Sequence, residues 1–372
     1  MNAEAGSAPA SVSRPSGLQP PWPVDARTFL DRLLAEIVAR LDADEPDNFD
    51  ETYPPWGLQL DRATYDARRA DYLAFAIANH ALLFRGFALL ADDASRALFM
   101  TLVLFRMLGH ERVRLPTNDA SFWECKRRAL AWPSTACTLA SLGSEETKQL
   151  RHFEFGEGAR AVAVDCMRAN FLFTFLLRQY HLERGAIVVR PLPGDHVLDV
   201  GACFGDTAVD FAHAVGAEGC VHAFEIVDTH LEVIAHNAAQ STAHGRIVVH
   251  PLALSDHAQE GTLAHTAFDP GFSVANQAFR LPMQRLDDLV ATGVIPQVDF
   301  IKMDIEGHEL PALRGAELTL RRFRPRLAIS LYHRWDDYFR IPIYLDELGL
   351  GYRFHLENYT ISDGETVLYC IA

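Results

Sequence analysis

The 372-residue chain predicts an open α/β sheet, wound by helices on both faces and preceded by a mainly helical region. Three observations predict it. Near the start, Phe29, Leu30, Leu33, Leu34, Ile37, Val38 and Leu41 recur at three- and four-residue spacing, which is one face of a helix. After Gly194, short β-rich runs alternate with helix-length stretches, the pattern of right-handed βαβ units and a parallel sheet. The first such run ends in a turn carrying Gly201 and Gly205.

Composition bounds the rest. Lys plus Arg is 34 and Asp plus Glu is 49, so net charge is −15. That charge excludes a binder of nucleic-acid backbones, because no cationic surface is set to displace counterions. Hydrophobic content of 49% with 22% charged residues is that of a packed globular chain. The length suits about two domains. Cys125, Cys137, Cys166, Cys203, Cys220 and Cys370 form no C-x-x-C pair, so no zinc ribbon is expected and a reducing cytoplasm fits.

The elements follow in order. Residues 1–24, with Pro9, Pro15, Pro20, Pro21 and Pro23, read as a flexible leader with no secretory signal. Residues 25–165 read as the mainly helical region. Helices are expected from Asp61 to Arg85 and from Asp92 to Leu108, the latter stopped by Gly109. The apolar run Ala97 to Phe105 is too short to span a bilayer. Met167 to Arg184 reads as a further helix. Residues 166–372 form the α/β domain. Its strands are Val197–Val200, Val221–Phe224, Ile247–Leu254, Phe300–Met303 and Leu327–Leu331. Its helices are Thr207–Val215, Thr229–Ala239 and Leu310–Phe323. Tyr352–Leu356 and Thr366–Ile371 have no helix-length spacer and read as an antiparallel pair at one sheet edge.

The segment V-L-D-V-G-A-C-F-G-D-T-A, Val197 to Ala208, carries the strongest signal. Its glycines let backbone approach a ligand, and the helix behind offers free N–H groups. A dinucleotide fold would place G-x-G-x-x-G here; this chain has G-x-x-x-G, with Cys203 where another glycine would sit. D-x-G-x-x-x-G is the form expected of S-adenosylmethionine sites. Glu225 ends the next strand, where a carboxylate accepts both ribose hydroxyls. Ser255 and Asp256 follow the third strand, where an adenine amino group would sit. Asp304 ends the fourth strand within D-F-I-K-M-D-I-E-G-H-E, followed by Glu306, His308 and Glu309. Tyr332 and His333 end the fifth, with Asp336, Asp337 and Tyr338 behind. All of these residues fall after strand carboxyl ends, which share one edge in an open parallel sheet, the edge where ligands bind.

V-D-F-I-K-M-D-I-E-G-H-E, then A-L-R-G-A-E, together with V-L-D-V-G-A, resembles the FkbM family of S-adenosylmethionine-dependent methyltransferases over about Met167 to Ala372. L-A-I-S-L-Y-H and the terminal E-T-V-L-Y are similar to members of polysaccharide and natural-product pathways. The resemblance implies a class I methyltransferase sheet with an antiparallel last strand, and O-methylation of a sugar, polysaccharide precursor or natural-product hydroxyl. It implies that Asp199, Gly201 and Gly205 line the donor's methionine end, Glu225 the ribose and Asp256 the adenine, and that Asp304 sits beside the methyl group; Ala202, Asp206, Thr207 and Ser255 are further expected cofactor-binding residues.

A hydroxyl nucleophile must lose its proton during attack, and general-base help is worth about 10²–10⁴-fold. The candidates are His333, Asp304 and His308. His333 is favoured because neutral imidazole accepts a proton near pH 7. Asp337, four residues on, orients it if the chain is helical from Arg334. Tyr332 and Glu365 are rim candidates. A divalent ion held by Asp304, Glu309 and His333 is the variant mechanism. The acceptor is a small molecule or glycan, and the N-terminal helices offer a surface for a homo-oligomer. Tyr53-Pro54-Pro55-Trp56 superficially resembles a nucleic-acid N-methyltransferase motif but lacks the leading acid or amide, and reads as a loop. A catalytically silent binder of the same fold, or a methyltransferase acting on nitrogen, is the alternative reading.

Overall fold

The computed structural model describes residues 18–41, 62–137, 139, 149–158, 161–241, 245–264 and 278–372. Residues 1–17 of the expected leader, and the Tyr53–Trp56 loop, lie outside the described residues. The chain forms two compact units. One consists chiefly of Ser121–Leu263 and Phe279–Ile329, the other of Ser13–Ala120 and Ser330–Ala372.

In the second unit, helix α1 (Ala26–Arg40) starts at Asp25, whose carboxylate accepts the Thr28 amide at 2.7 Å. Its buried Phe29 meets Phe84 and Phe87 at ring separations of 6.1 and 5.4 Å. The expected helix from Asp61 to Arg85 is two helices, α2 (Arg62–Ala78) and α3 (His80–Ala88). The break is at Asn79, whose side-chain amide donates back to Phe75 O at 2.8 Å and competes with helical propagation. Helix α4 (Asp93–Leu108) matches the expectation closely: Asp92 caps it and Gly109, at φ 79°, ends it. It is buried from Ala97 through Met107 apart from its ends, which explains its all-round apolar sequence.

The first unit opens with α5 (Ala120–Ala131), and the mainly helical region then ends in strands. Thr135–Ala136, Arg151–Phe155 and Val162–Cys166 form an antiparallel three-stranded sheet. Phe153, Val162, Val164 and Cys166 are buried at alternate positions, but each strand is only five residues long, so the period-2 signal is brief. Met167 to Arg184 is not one helix either. A short helical turn (Arg168–Asn170) leads into a π-helix (Phe171–Leu176), and Leu182–Arg184 pairs with Ile187–Val189 in a hairpin. Phe171 stacks on Phe153 at 4.3 Å, a contact between separate segments that local periodicity does not report.

The main sheet strands are β1 (His196–Val200), β2 (Cys220–Phe224), β3 (Arg246–His250), β4 (Phe300–Met303), β5 (Arg326–Ser330), β6 (Arg353–Asn358) and β7 (Thr366–Ile371). Their order is β6-β7-β5-β4-β1-β2-β3. Adjacent members of the run β5-β4-β1-β2-β3 are parallel, and β6 and β7 are antiparallel to each other, as expected. Helices α6 (Asp206–Val215) and α7 (Asp228–Gln240) fill the first two crossovers. The expected strand Ile247–Leu254 breaks at Pro251, which has no N–H for the ladder; Ala253–Leu254 pairs instead with Ala278–Gln284. The expected helix Leu310–Phe323 is also two, α8 (Glu309–Arg314) and α9 (Glu317–Phe323). Between them Gly315 lies so close to Ser255 that a Cβ would stand 1.9 Å from the Ser255 carbonyl oxygen. In the second unit, α10 (Asp337–Glu347) precedes β6, and His355 on β6 pairs with Asp92 at 2.5 Å.

Candidate active site

The site grows from the end of β1. Register places Asp199 beside Lys302 of β4. Both are buried, and Lys302 Nζ lies 3.1 Å from Asp199 Oδ1 while donating to Gly201 O at 2.5 Å. The Thr207 hydroxyl donates to Asp199 Oδ2 at 2.7 Å. Burial works against the Lys302 charge, but the Asp199 and Asp304 carboxylates outweigh it and raise its pKa. Asp199, expected to line a ligand, is fully enclosed. It ties β1, β4 and the first turn of α6 together.

Beyond Asp199 the backbone turns through left-handed conformations at Gly201 (φ 83°), Cys203 (φ 49°) and Gly205 (φ 79°). A Cβ on Gly201 would meet the Asp304 carbonyl oxygen at 1.9 Å, so only glycine fits. Cys203, at the position where the sequence suggested a missing glycine, adopts the glycine-like conformation anyway, at a cost of about 1–2 kcal/mol. The Ala202 amide donates to Phe224 O at 3.0 Å, pinning the turn to β2. Asp206 opens α6 and accepts from the Thr174 hydroxyl at 2.5 Å. Burial, with Asp199 nearby, pushes its carboxyl up to about 6.

Glu225 leaves the end of β2 and closes over the same turn. Its Oε2 accepts the Cys203 amide at 2.8 Å, and its Oε1 accepts those of Ile226 and Val227 at 2.7 and 3.0 Å. Burial alone would raise its pKa; His230 and these amides outweigh burial and hold it below the ordinary value.

Asp304 reaches the turn from β4. The Tyr180 hydroxyl donates to its Oδ2 at 2.7 Å. Behind it the chain folds tightly, with Glu306 at φ 56° and Gly307 at φ 91°. Glu309 is buried and accepts the Ile305 amide at 2.9 Å, and its carboxylate lies within 4.8 Å of that of Asp304. His308 Nε2 lies 3.1 Å from Ser255 Oγ, which draws this imidazole toward the Ser255 strand end.

One turn therefore gathers Asp199, Gly201, Ala202, Gly205, Asp206, Thr207, Glu225 and Asp304, and Ser255 joins through His308. Asp256 points outward and pairs with His257 at 2.6 Å. His333, Tyr332, Asp337 and Glu365 belong to the second unit. The His333 ring lies 4.1 Å from that of Tyr332. The condition set for Asp337 is not met: the helix starts at Asp337 itself, and its Oδ2 accepts the Arg334 amide at 3.1 Å. Sequence reasoning missed Tyr180, Thr174 and Lys302. Only Lys302 left a signal, being a lysine inside an otherwise apolar strand.

Four carboxylates (Asp199, Asp206, Glu225, Asp304) face one ammonium, Lys302. That excess of negative charge suits a cationic ligand, and the residues fit S-adenosylmethionine, which carries a sulfonium and an ammonium against one carboxylate.

Comparison with known proteins agrees. Residues 199–354 match the model of the methyltransferase FkbM domain. The crystal structure of methyltransferase FkbM from Methylobacillus flagellatus KT is similar at 20% identity and a TM-score of 0.50, over 82% of this chain and 62% of that one. This chain thus spans about three fifths of that protein's length. The likeness shows the class I methyltransferase fold. Fibrillarin from Aeropyrum pernix, solved with natively bound S-adenosyl-L-methionine, is 12% identical over 50% of this chain and 70% of that one, at a TM-score of 0.34. Precorrin-6y C5,15-methyltransferase from Geobacter metallireducens GS-15 is 12% identical over 48% and 79%, at 0.31. No curated protein matches the chain.

Proposed function

We propose that this chain, which carries a methyltransferase FkbM domain over residues 199–354, transfers a methyl group from S-adenosylmethionine to a hydroxyl of a sugar, polysaccharide precursor or natural-product scaffold. The observation that carries the reading is the convergence of Glu225 and Asp304, from the ends of two strands, on the Gly201–Gly205 turn. When bound, S-adenosylmethionine supplies an electrophilic methyl on a sulfonium whose charge is lost on transfer. The chain's residues then have distinct tasks. Glu225 accepts hydrogen bonds from the ribose hydroxyls, Ser255 serves the adenine, and Asp256 reaches the adenine only if it leaves its contact with His257. Asp304 faces the methyl end. Holding acceptor and donor in line supplies about 7–11 kcal/mol of the barrier in ideal cases.

His333 follows β5 by three residues, and β5 is the parallel neighbour of β4, which bears Asp304 at its end. Strand order supports His333 as the base that takes the acceptor proton. The variant with a divalent ion on Asp304, Glu309 and His333 polarising the hydroxyl is tested by the same assay. The negative net charge speaks for a small-molecule or glycan acceptor rather than nucleic acid. Among the described residues no helix is long and apolar enough to cross a membrane. All six cysteines are free thiols, which supports a cytoplasmic setting. Helix α1 leaves Leu34 and Val38 exposed one turn apart, and this supports self-association through the N-terminal helices.

Calorimetry with S-adenosylmethionine and with NADH tests the cofactor: micromolar binding of the first and none of the second is expected. Methyl transfer to sugar acceptors, with and without EDTA, tests the rest. Binding without transfer to any hydroxyl would favour a silent binder or a nitrogen acceptor, and full turnover in EDTA would discard the divalent ion.

A further inference from the structure

We propose that Tyr180 is a positioning residue: it fixes the Asp304 carboxylate at the methyl end of the donor site and so lets the site distinguish the cationic donor from its neutral thioether product. The inference rests on the reading that Asp304 faces the methyl group, and goes beyond it in assigning what holds Asp304 there.

Tyr180 lies in a segment that the sequence reads as ordinary helix. It is buried, and its backbone is left-handed at φ 69°, as is that of Arg178 at φ 57°. Bulky side chains occupy this region only when their surroundings impose it, and such imposed strain clusters at functional sites. Here the imposing contacts are explicit. Arg178 Nη1 donates to Asp210 Oδ1 at 2.5 Å, and His181 Nε2 lies 2.6 Å from Asp210 Oδ2. Asp210 is on α6, the helix whose first residue closes the glycine turn. The Gln179 amide returns to Phe173 O at 2.9 Å, securing the other side of the loop. The segment is thus clamped to the element that shapes the donor site. Between the clamped residues Arg178 and His181, Tyr180 projects its hydroxyl to Asp304 Oδ2 at 2.7 Å, with its ring 5.3 Å from Lys302 Nζ.

The terminal torsion of an aspartate is soft, so a carboxylate without a fixed donor swings between orientations. A hydroxyl donor on one oxygen removes that freedom and leaves the other oxygen directed. A merely structural tyrosine would stabilise the fold without regard to the ligand's charge. A positioning tyrosine acts on the sulfonium and hardly at all on the thioether.

The test is calorimetry on the full chain with S-adenosylmethionine and S-adenosylhomocysteine, using Tyr180→Phe, Asp304→Asn and the double variant. Tyr180→Phe is expected to weaken the donor about tenfold, the scale of a charge-assisted hydrogen bond, and the product less than about twofold. The double variant is expected to bind no more weakly than Asp304→Asn alone, since Tyr180 then has no charge to hold. Equal loss for both ligands, or additive losses in the double variant, overturns the proposal. Asp304→Asn without effect on the donor-to-product ratio overturns the placement of Asp304, and the proposal with it. An effect of Asp304→Asn with none of Tyr180→Phe overturns the role of Tyr180 alone. Should Tyr180→Phe fail to fold, Asp210→Asn loosens the clamp from a distance; selective loss of the donor supports the proposal and equal loss refutes it.

Discussion

Lys302→Met is the perturbation whose consequence follows most directly from the structure. Lys302 and Asp199 are both buried, with charged atoms 3.1 Å apart. At an effective dielectric constant of about 20, their attraction is roughly 332/(20 × 3.1), or about 5 kcal/mol. Most of this offsets the cost of removing two charges from water, so the pair's net contribution to stability is small. Removing one partner is different: Asp199 remains as a buried carboxylate whose main counter-charge is gone. Loss of about 3–5 kcal/mol is expected for Lys302→Met. Asp199→Leu with Lys302→Met should recover part of it, because the Asp199 carboxylate is then no longer stranded while Asp304 and Asp206 still lack the ammonium. Urea titration followed by circular dichroism measures both. The pH dependence gives a second check. Because the folded-state pKa of Lys302 is raised, its stabilisation is fully present below the unfolded-state value of about 10.4 and is lost as pH climbs through the folded one. Wild type should therefore lose stability above about pH 10.4, and this component should vanish in the double variant. A single variant as stable as wild type would refute the claim that Lys302 neutralises Asp199.

Glu225→Ala should weaken S-adenosylmethionine binding by a few kcal/mol at most, read by calorimetry; it should also lower the melting temperature, since the amides of Cys203, Ile226 and Val227 lose their acceptor. His222, buried on β2 with its Nδ1 3.0 Å from His250 Nε2, is held down to about 4 by burial first and by the neighbouring histidines second. A depressed histidine contributes stability that is present above about pH 6.5 and lost as pH falls toward 4, roughly 3 kcal/mol in all; His222→Phe should flatten that acid limb in urea titrations across pH 4–7. His333→Ala should slow methyl transfer by about 10²-fold or more with donor affinity nearly intact; wild-type turnover would place the base elsewhere.

The parallel strands were legible because buried strands are short β-branched runs between glycines and acids, and β4 appears at Phe300–Met303 as expected. The glycine turn was legible because left-handed backbone selects residue type. What escaped depends on contacts between distant segments. Phe171–Leu176 is an apolar run that suits α- or π-helix equally, and its contact with Phe153 is invisible to periodicity. Tyr180 is aimed by Asp210, thirty residues onward, through backbone angles that no tyrosine announces. Asp199 has a partner its motif does not announce: the buried Lys302, 3.1 Å from its carboxylate, is revealed only by the register of two distant strands.

That enclosure changes the charge balance of the site. Asp199 and Lys302 answer each other, and Asp206, Glu225 and Asp304 are the remaining acids around the turn. Each is held differently: Asp206 by burial near neutrality at about 6, Glu225 by amides in its ionised form, and Asp304 by a phenol. On the proposed reading, the donor enters as a net cation and leaves as a thioether without the sulfonium charge. Anions set around the methyl end then hold the reactant more tightly than the product, which favours product release. The same anions gain nothing as the charge is lost during transfer, so acceleration must come from alignment and from the base. The acceptor side, where His333 lies in sequence, is therefore where differences in turnover between substrates should arise, whereas substitutions at Glu225 or the glycine turn should change donor affinity for every acceptor alike.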